Sequence, residues 1–167
     1  MRPARPEDAD EYTELMRVSR DHLRPWYYGA ETANAFDDLI RRSRRDDYVL
    51  LLACLKDGGA IAGSFSLSQI FRGGFQNAYL GFAAGAPYAG RGFMREGMEL
   101  TLEYVFTTLQ LHRVEANVQP ANVRSLRLVE RCGFRLEGFS PNYLKIGGRW
   151  RDHRRYALTI EDWGTLK

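Results

Sequence analysis

The chain has 167 residues, 44% hydrophobic and 27% charged, with 24 basic against 21 acidic side chains and a formal net charge of +3. Such a length and balance suit one soluble domain of roughly 100–200 residues and exclude disordered and collagen-like classes; no apolar run approaches the ~18–20 residues of a membrane span. Two cysteines, Cys54 and Cys132, make neither a disulfide framework nor a zinc site, and the charge excess is too small to argue for nucleic-acid binding.

The polar, acid-containing first residues predict no signal peptide, so the expected location is the cytoplasm. Residues 8–23 carry apolar side chains at Ala9, Tyr12, Leu15, Met16 and Leu23 with helical spacing and one polar lapse, Ser19. Pro25 ends that helix and opens an aromatic loop, Trp26-Tyr27-Tyr28-Gly29. Thr32 is a good N-cap for a second helix that places Ala33, Phe36, Leu39 and Ile40 on one face. Arg41, Arg42, Arg44 and Arg45 close it, where cations complement the helix dipole. They read as a solvated face, or as a surface for an acidic or ribosomal partner. Only Lys56, Lys145 and Lys167 are lysines; the other basic residues are arginines, and the sequence pI is near 9.0.

Residues 48–55 are continuously apolar, which predicts a buried strand turned back at Gly58-Gly59 into a partner over 60–68. A strand follows over 77–84, a glycine-rich turn over 85–92, and a long helix over 93–109. A strand over 113–118, a helix over 122–131 and a strand opened by Gly133 come next. The end predicts a hairpin, 143–146 and 150–160, around Gly147-Gly148. Trp150 is expected to plug the core beside it. The sum is one α/β domain, residues 1–167, with a mixed sheet flanked by helices.

The strand–turn–helix unit at 77–109 carries the first chemical signal, in Tyr88-Ala89-Gly90-Arg91-Gly92-Phe93-Met94. A helix N-terminus leaves backbone N–H groups unpaired and carries the positive end of a dipole, so it binds phosphate, and glycines allow close approach. The spacing is neither that of the mononucleotide loop nor that of the dinucleotide fingerprint. A plain loop is the competing reading.

Further residues narrow the choice: Arg72-Gly73, Tyr79-Leu80-Gly81-Phe82, His112-Arg113, Asn122-x-x-Ser125, Gly133-Phe134, Glu137-Gly138 and the tail Tyr143-Leu144-Lys145-Ile146-x-Gly148-Arg149-Trp150-Arg151-Asp152-His153. With the glycine turn, and over residues 63–163, the chain resembles the GNAT N-acyltransferase superfamily. Within it the likeness is to the RimJ/RimL-like protein N-acetyltransferases, in the ribosomal-protein alanine acetyltransferase branch.

That resemblance implies the GNAT fold, a central twisted mixed sheet with flanking helices, and acetyl-CoA as cosubstrate without a metal. Acetyl-CoA would lie in a V-shaped gap between strands 77–84 and 113–118. Its pantetheine arm would pair near Phe82 and Ala84, and its pyrophosphate would sit on the amides of Ala89, Gly90, Arg91, Gly92, Phe93 and Met94. The family's turn pattern departs here twice: Ala89 lacks the usual polar side chain, and Met94 exceeds the usual small residue. Arg91 and Arg127 either meet CoA phosphates or are solvated. Asn122 either caps the helix or bonds the pantetheine, and Ser125 is the general-acid candidate. The tyrosine that many members carry one turn later is Val129 here.

The base is missing from the pattern. Relatives carry a glutamate at the position of Tyr79 or near Asn142, and neither carboxylate is present. Glu115 could face the gap or pair with Arg113, and Glu137 could be structural. A water relay through Asn142 or Tyr143, or an amine that arrives neutral, would serve; an α-amine titrating near ~8 needs less help than a lysine near ~10.4. His112 and His153 read as structural, and His22 as a surface contact. Trp26, Tyr27, Tyr79, Asn142 and Tyr143 are the candidate acceptor-binding residues, with ordinary packing as the alternative for the loop.

The expected function is therefore acetyl transfer to a primary amine, by direct attack in a ternary complex. The favoured acceptor is a protein N-terminal α-amine, with ribosome association and a monomer or homodimer in view. The alternatives are a small-molecule amine acetyltransferase and a weakly catalytic acyl-CoA-binding or ribosome-associated module. The first strand of the family is expected to be short or missing, since only residues 1–6 precede Glu7.

Overall fold

The sheet starts at β1 (Arg2–Pro3), a two-residue strand that sets Arg2 opposite Leu52 and Pro3 opposite Leu51. The first strand is thus short, and it covers only part of its neighbour's edge. The computed structural model describes residues 1–166. Arg2 also holds the carboxylate of Asp8, whose second role is to accept the Arg5 amide at 2.7 Å, so the chain enters its first helix from a fixed start.

The helix predicted over 8–23 divides into α1 (Ala9–Val18) and α2 (Arg20–Leu23). The break falls on Ser19, the polar lapse. Ser19 is fully buried, and its Oγ accepts the Ala86 amide at 2.8 Å. A serine there ties the helix pair to the far end of a strand that lines the site. α3 (Ala33–Arg42) starts where expected, with the Thr32 hydroxyl accepting the Ala35 amide. The arginines at its end are mostly occupied: Arg41 pairs with Asp38, Arg45 with Asp47, and Arg42 lies over the Tyr48 ring.

β2 (Tyr48–Cys54) and β3 (Ile61–Ser68) form the predicted hairpin, and β4 (Asn77–Ala84) extends it antiparallel. α4 (Phe93–Glu103) ends in one π-helical turn, Tyr104–Thr108, where the sequence predicts unbroken α-helix. β5 (Arg113–Val118) and α5 (Val123–Arg131) follow. The last hairpin is longer than predicted, β6 (Arg135–Ile146) against β7 (Arg149–Thr159), and a short α6 (Ile160–Gly164) was not foreseen. The seven strands run β1-β2-β3-β4-β5-β7-β6, with only β4 and β5 parallel.

Both sheet faces are covered, which explains why β2 is apolar throughout rather than alternating. One face packs Phe65, Leu67, Val114 and Tyr156 against Met98, Leu102 and Val129 of the helices. The other packs Leu50, Leu52 and Ile61 against Tyr12, Met16 and Phe36. Each such burial is worth roughly 1.5–3 kcal/mol. Trp150 does not join either core. It is 61% exposed, because its position next to the Gly147-Gly148 turn lies beyond the helices that cover the sheet.

Candidate active site

Parallel pairing between β4 and β5 lasts for three register pairs: Asn77 with Arg113, Ala78 with Val114, and Tyr79 with Glu115. Past Tyr79 the strands part, β4 continuing against β3 alone and β5 against β7 alone. The parting exposes two facing strand edges whose N–H and C=O groups lack partners, a place for an extended chain to hydrogen-bond.

A cavity of about 460 Å³ opens at this fork. Tyr79, Gly81 and Phe82 of β4 form one wall, and Asn117 of β5 with Asn122 and Ser125 at the start of α5 form the other. Trp26 and Tyr27 of the aromatic loop, and Tyr143, Leu144 and His153 of the last hairpin, complete the lining. The structure thus gathers seven sequence-predicted residues, Trp26, Tyr27, Tyr79, Phe82, Asn122, Ser125 and Tyr143, from distant parts of the chain.

Other predicted residues stand elsewhere. Ala84 lies at the far end of β4, and Ala89 to Met94 form the turn into α4. Asn142 is not on the cavity wall: it is exposed, with its amide bonded to the Asp152 carboxylate at 2.8 Å.

The turn has the form of an anion cradle. Its hydrogen bonds end with the Ala89 amide on the Ala86 carbonyl and resume with the Arg95 amide on the Gly92 carbonyl, leaving the amides from Gly90 to Met94 without backbone acceptors among the described residues. Gly90 and Gly92 have φ of +76° and +87°, a region that side chains disfavour. No atom lies within 4 Å of the point where either would carry a Cβ, so the space above is open. Met94, too large for the usual pattern, fits because Gly63 has no side chain; a Cβ there would stand 2.7 Å from the Met94 sulfur. Arg91 is exposed and lies over the Phe93 ring, and Arg127 is exposed. An anionic, extended ligand such as CoA fits this cradle, the strand edge and the cavity in sequence.

At α5, Asn122 Oδ1 accepts the Ser125 amide at 3.2 Å, so the capping reading holds. Asn122 and the half-buried Ser125 both line the cavity. Val129, one turn on, is fully buried.

Charge is kept off the cavity wall. Glu115 pairs with Arg113 at 3.0 Å, and Arg113 also holds Glu137, which in turn holds Arg135. The guanidinium of Arg113 pulls the Glu137 carboxyl down to about 2. Burial pushes the Tyr79 hydroxyl up, with the Glu115 charge adding to it, and burial pushes the Tyr27 hydroxyl well up. Neither phenol is a base near neutrality.

Asn117, and His153 that reads as structural in the sequence, are among the wall residues outside the predicted set. Asn117 presents a buried Oδ1 with no hydrogen-bond partner among the described residues. His153 is 3% exposed, its Nδ1 lies 2.9 Å from the Arg151 carbonyl oxygen, and burial lowers its pKa. Strand alternation and the pairing of β5 with β7, Asn117 opposite Arg155, place both on one face.

Similarity to known proteins agrees with this geometry. The family described as acetyltransferase (GNAT) domain matches residues 1–135. YjcK of Bacillus subtilis (strain 168), named a probable N-acetyltransferase, is 32% identical over 97% of this chain and 94% of its own length. The ribosomal protein uS5-alanine N-acetyltransferase of Escherichia coli (strain K12) is 41% identical over 64% of this chain and 55% of its own. Among solved structures, Mycobacterium smegmatis RimJ in complex with CoA-disulfide superposes with a TM-score of 0.87 at 27% identity, covering 96% of this chain and 81% of that one.

Proposed function

The chain belongs to the GNAT acetyltransferase family, whose members use acetyl-CoA, and on that premise we propose that its acceptor is the N-terminal α-amine of a protein. The observation that carries the choice of acceptor is the cavity wall: none of its described residues is a carboxylate or a guanidinium. A polyamine would leave several charges unpaired against such a wall, at a cost of several kcal/mol each unless water follows them in. A peptide brings one amine, which at ~8 is easily neutralised. Beside it, past Trp26 and Gln119, lies a separate shallow hollow of about 430 Å³ lined by Pro25, Pro120 and Trp150 with Arg151 and Asp152, which suits the residues that follow a peptide's first. Similarity to the uS5-alanine enzyme supports the same class of acceptor.

Acetyl-CoA supplies an acetyl group activated as a thioester. The amides of Gly90 to Met94 hold the pyrophosphate, with Arg91 of the same turn and Arg127 of α5 as the cations that join them. The edge of β4 past Tyr79, around Phe82 and Ala84, pairs with the extended arm, and a strand N–H polarises the thioester carbonyl as charge develops on it. The Asn122 amide bonds the arm. The Ser125 hydroxyl donates toward the departing sulfur, a modest task because a thiol leaves readily. Trp26, Tyr27, Tyr79 and Tyr143 shape the acceptor's entry.

CoA release by the purified protein tests the proposal. Peptides with free Ala or Ser N-termini should turn over with higher kcat/KM than spermidine or an N-blocked lysine peptide. Preference for spermidine overturns the acceptor assignment; thioester binding without release to any amine leaves a binding module instead.

A further inference from the structure

Acetylation must dispose of the amine's protons, and no carboxylate stands on the cavity wall among the described residues. We propose that His153 is the catalytic proton acceptor, taking the ammonium proton of the acceptor at Nε2. The inference rests on the acetyl-transfer reading above.

Three observations converge on this imidazole. First, it is the one group on the cavity wall, among the described residues, whose ordinary pKa lies near neutrality; the other titratable wall residues are the tyrosines Tyr27, Tyr79 and Tyr143. Second, the tautomer is set. A carbonyl oxygen can only accept, so the 2.9 Å contact with Arg151 O places the proton on Nδ1 and leaves the Nε2 lone pair available. Third, the ring is held in place: it is 3% exposed, and the Tyr143 ring stands 6.0 Å away between centroids.

The surroundings keep the ring neutral until the acceptor arrives. β6 contributes Tyr143, β4 contributes Tyr79, and the aromatic loop contributes Tyr27. β5 and α5 contribute only neutral Asn117, Asn122 and Ser125. On its own strand, the bond to the Arg151 carbonyl and then the Asp152 charge work in the opposite direction, and burial outweighs both. Arg151 flanks it on the same strand and offers the carbonyl that holds Nδ1.

The proton balance is complete. His153 Nε2 takes one proton from the ammonium and passes it to bulk water. The nitrogen lone pair then forms the bond to the acetyl carbon, the carbon–sulfur bond breaks, and the second nitrogen proton ends on the departing sulfur by way of the Ser125 hydroxyl. The products are the amide, CoA thiol and one released proton.

His153→Asn keeps a donor for the Arg151 carbonyl and removes Nε2. With a free-N-terminal peptide, wild type should still hold its kcat/KM at about pH 6.5, the ordinary histidine value, and lose it only below. The variant should fall about 100-fold at that pH, the usual worth of a general base, and recover to within about tenfold at pH 9, where the amine is already neutral. The KM for acetyl-CoA should not move, and added imidazole should restore the low-pH rate. A loss that is equal at every pH, or no loss, overturns the assignment. Imidazole nitrogen NMR on the ligand-free wild type is the second arm and needs no variant. Among three histidines, one should show the Nδ1–H tautomer and titrate below the ordinary value; a charged or Nε2–H ring at His153 at pH 7.5 overturns the role. Wild type that releases no CoA with any amine overturns the acetyl-transfer reading itself, so the two failures are distinguishable.

Discussion

Asn122 Oδ1 accepts the amide of Ser125 at 3.2 Å, so the N-cap of α5 also fixes the backbone of a residue on the cavity wall. Structural cap and candidate chemistry are one device. Ser125→Ala should fold with unchanged stability and lose about 10- to 100-fold in kcat, at the low end of acid assistance because the leaving thiol is good. Asn122→Ala should lose about 1 kcal/mol of stability as well, the usual worth of an N-cap. Thermal melts beside single-turnover rates separate the two; equal rates for Ser125→Ala and wild type remove the serine from the chemistry.

Gly92 sits at φ +87° as N-cap of α4, with open space above it. An L side chain in that region costs about 1–2 kcal/mol, and the turn relieves it by rotating its amides away from the anion. Gly92→Val is expected to raise the CoA dissociation constant at least about tenfold, equivalent to about 1.4 kcal/mol. Isothermal titration with CoA measures this, and an unchanged constant moves the phosphate elsewhere.

Gly97 lets α4 approach the sheet: an added Cβ would meet the fully buried Phe65 ring at 2.6 Å. Alanine ordinarily favours a helix over glycine by about 1 kcal/mol. Here overpacking should win, and Gly97→Ala is expected to destabilise by about 1–3 kcal/mol in urea unfolding. Phe65→Leu added to it should recover part of the loss, while Phe65→Leu alone should not stabilise.

Glu137 is held by Arg113 first and Arg135 second, and its pKa falls from 4.5 to about 2. A depressed folded-state pKa contributes stability that is fully present above the unfolded value and is lost as pH falls through the folded one. Its contribution should therefore fade between about pH 4.5 and pH 2. Glu137→Gln is expected to flatten the acid side of the stability curve in that window and leave the Tm above pH 6 lower but level. A curve of unchanged slope would show that the pair is fully screened.

The elements were largely legible because their signals are local. The continuous apolar run of β2, the Thr32 cap, the Gly58-Gly59 turn and the glycines before α4 each act within a few residues, and the structure has each in place. The break at Ser19 and the π-helical turn after Glu103 were not legible. Ser19 breaks its helix for a bond to Ala86, 67 residues away in sequence, and no window of neighbours contains that partner. Trp150 was misplaced for a related reason: an indole predicts burial, but burial depends on whether a helix covers that part of the sheet.

The candidate site divides in the same way. By itself, the sequence determined the glycine-led turn with unpaired amides before α4, because such a turn needs only local geometry, and it determined the Asn122-x-x-Ser125 cap. Only tertiary structure decided where β4 and β5 part after Tyr79, since that depends on register between strands 36 residues apart (Tyr79 opposite Glu115). Only tertiary structure, likewise, turned His153 and Asn117 toward the cavity and moved Asn142 off it. A β-strand side chain has two faces to choose from, and His153 and Asn117 share theirs through the pairing of β5 with β7, where Asn117 stands opposite Arg155.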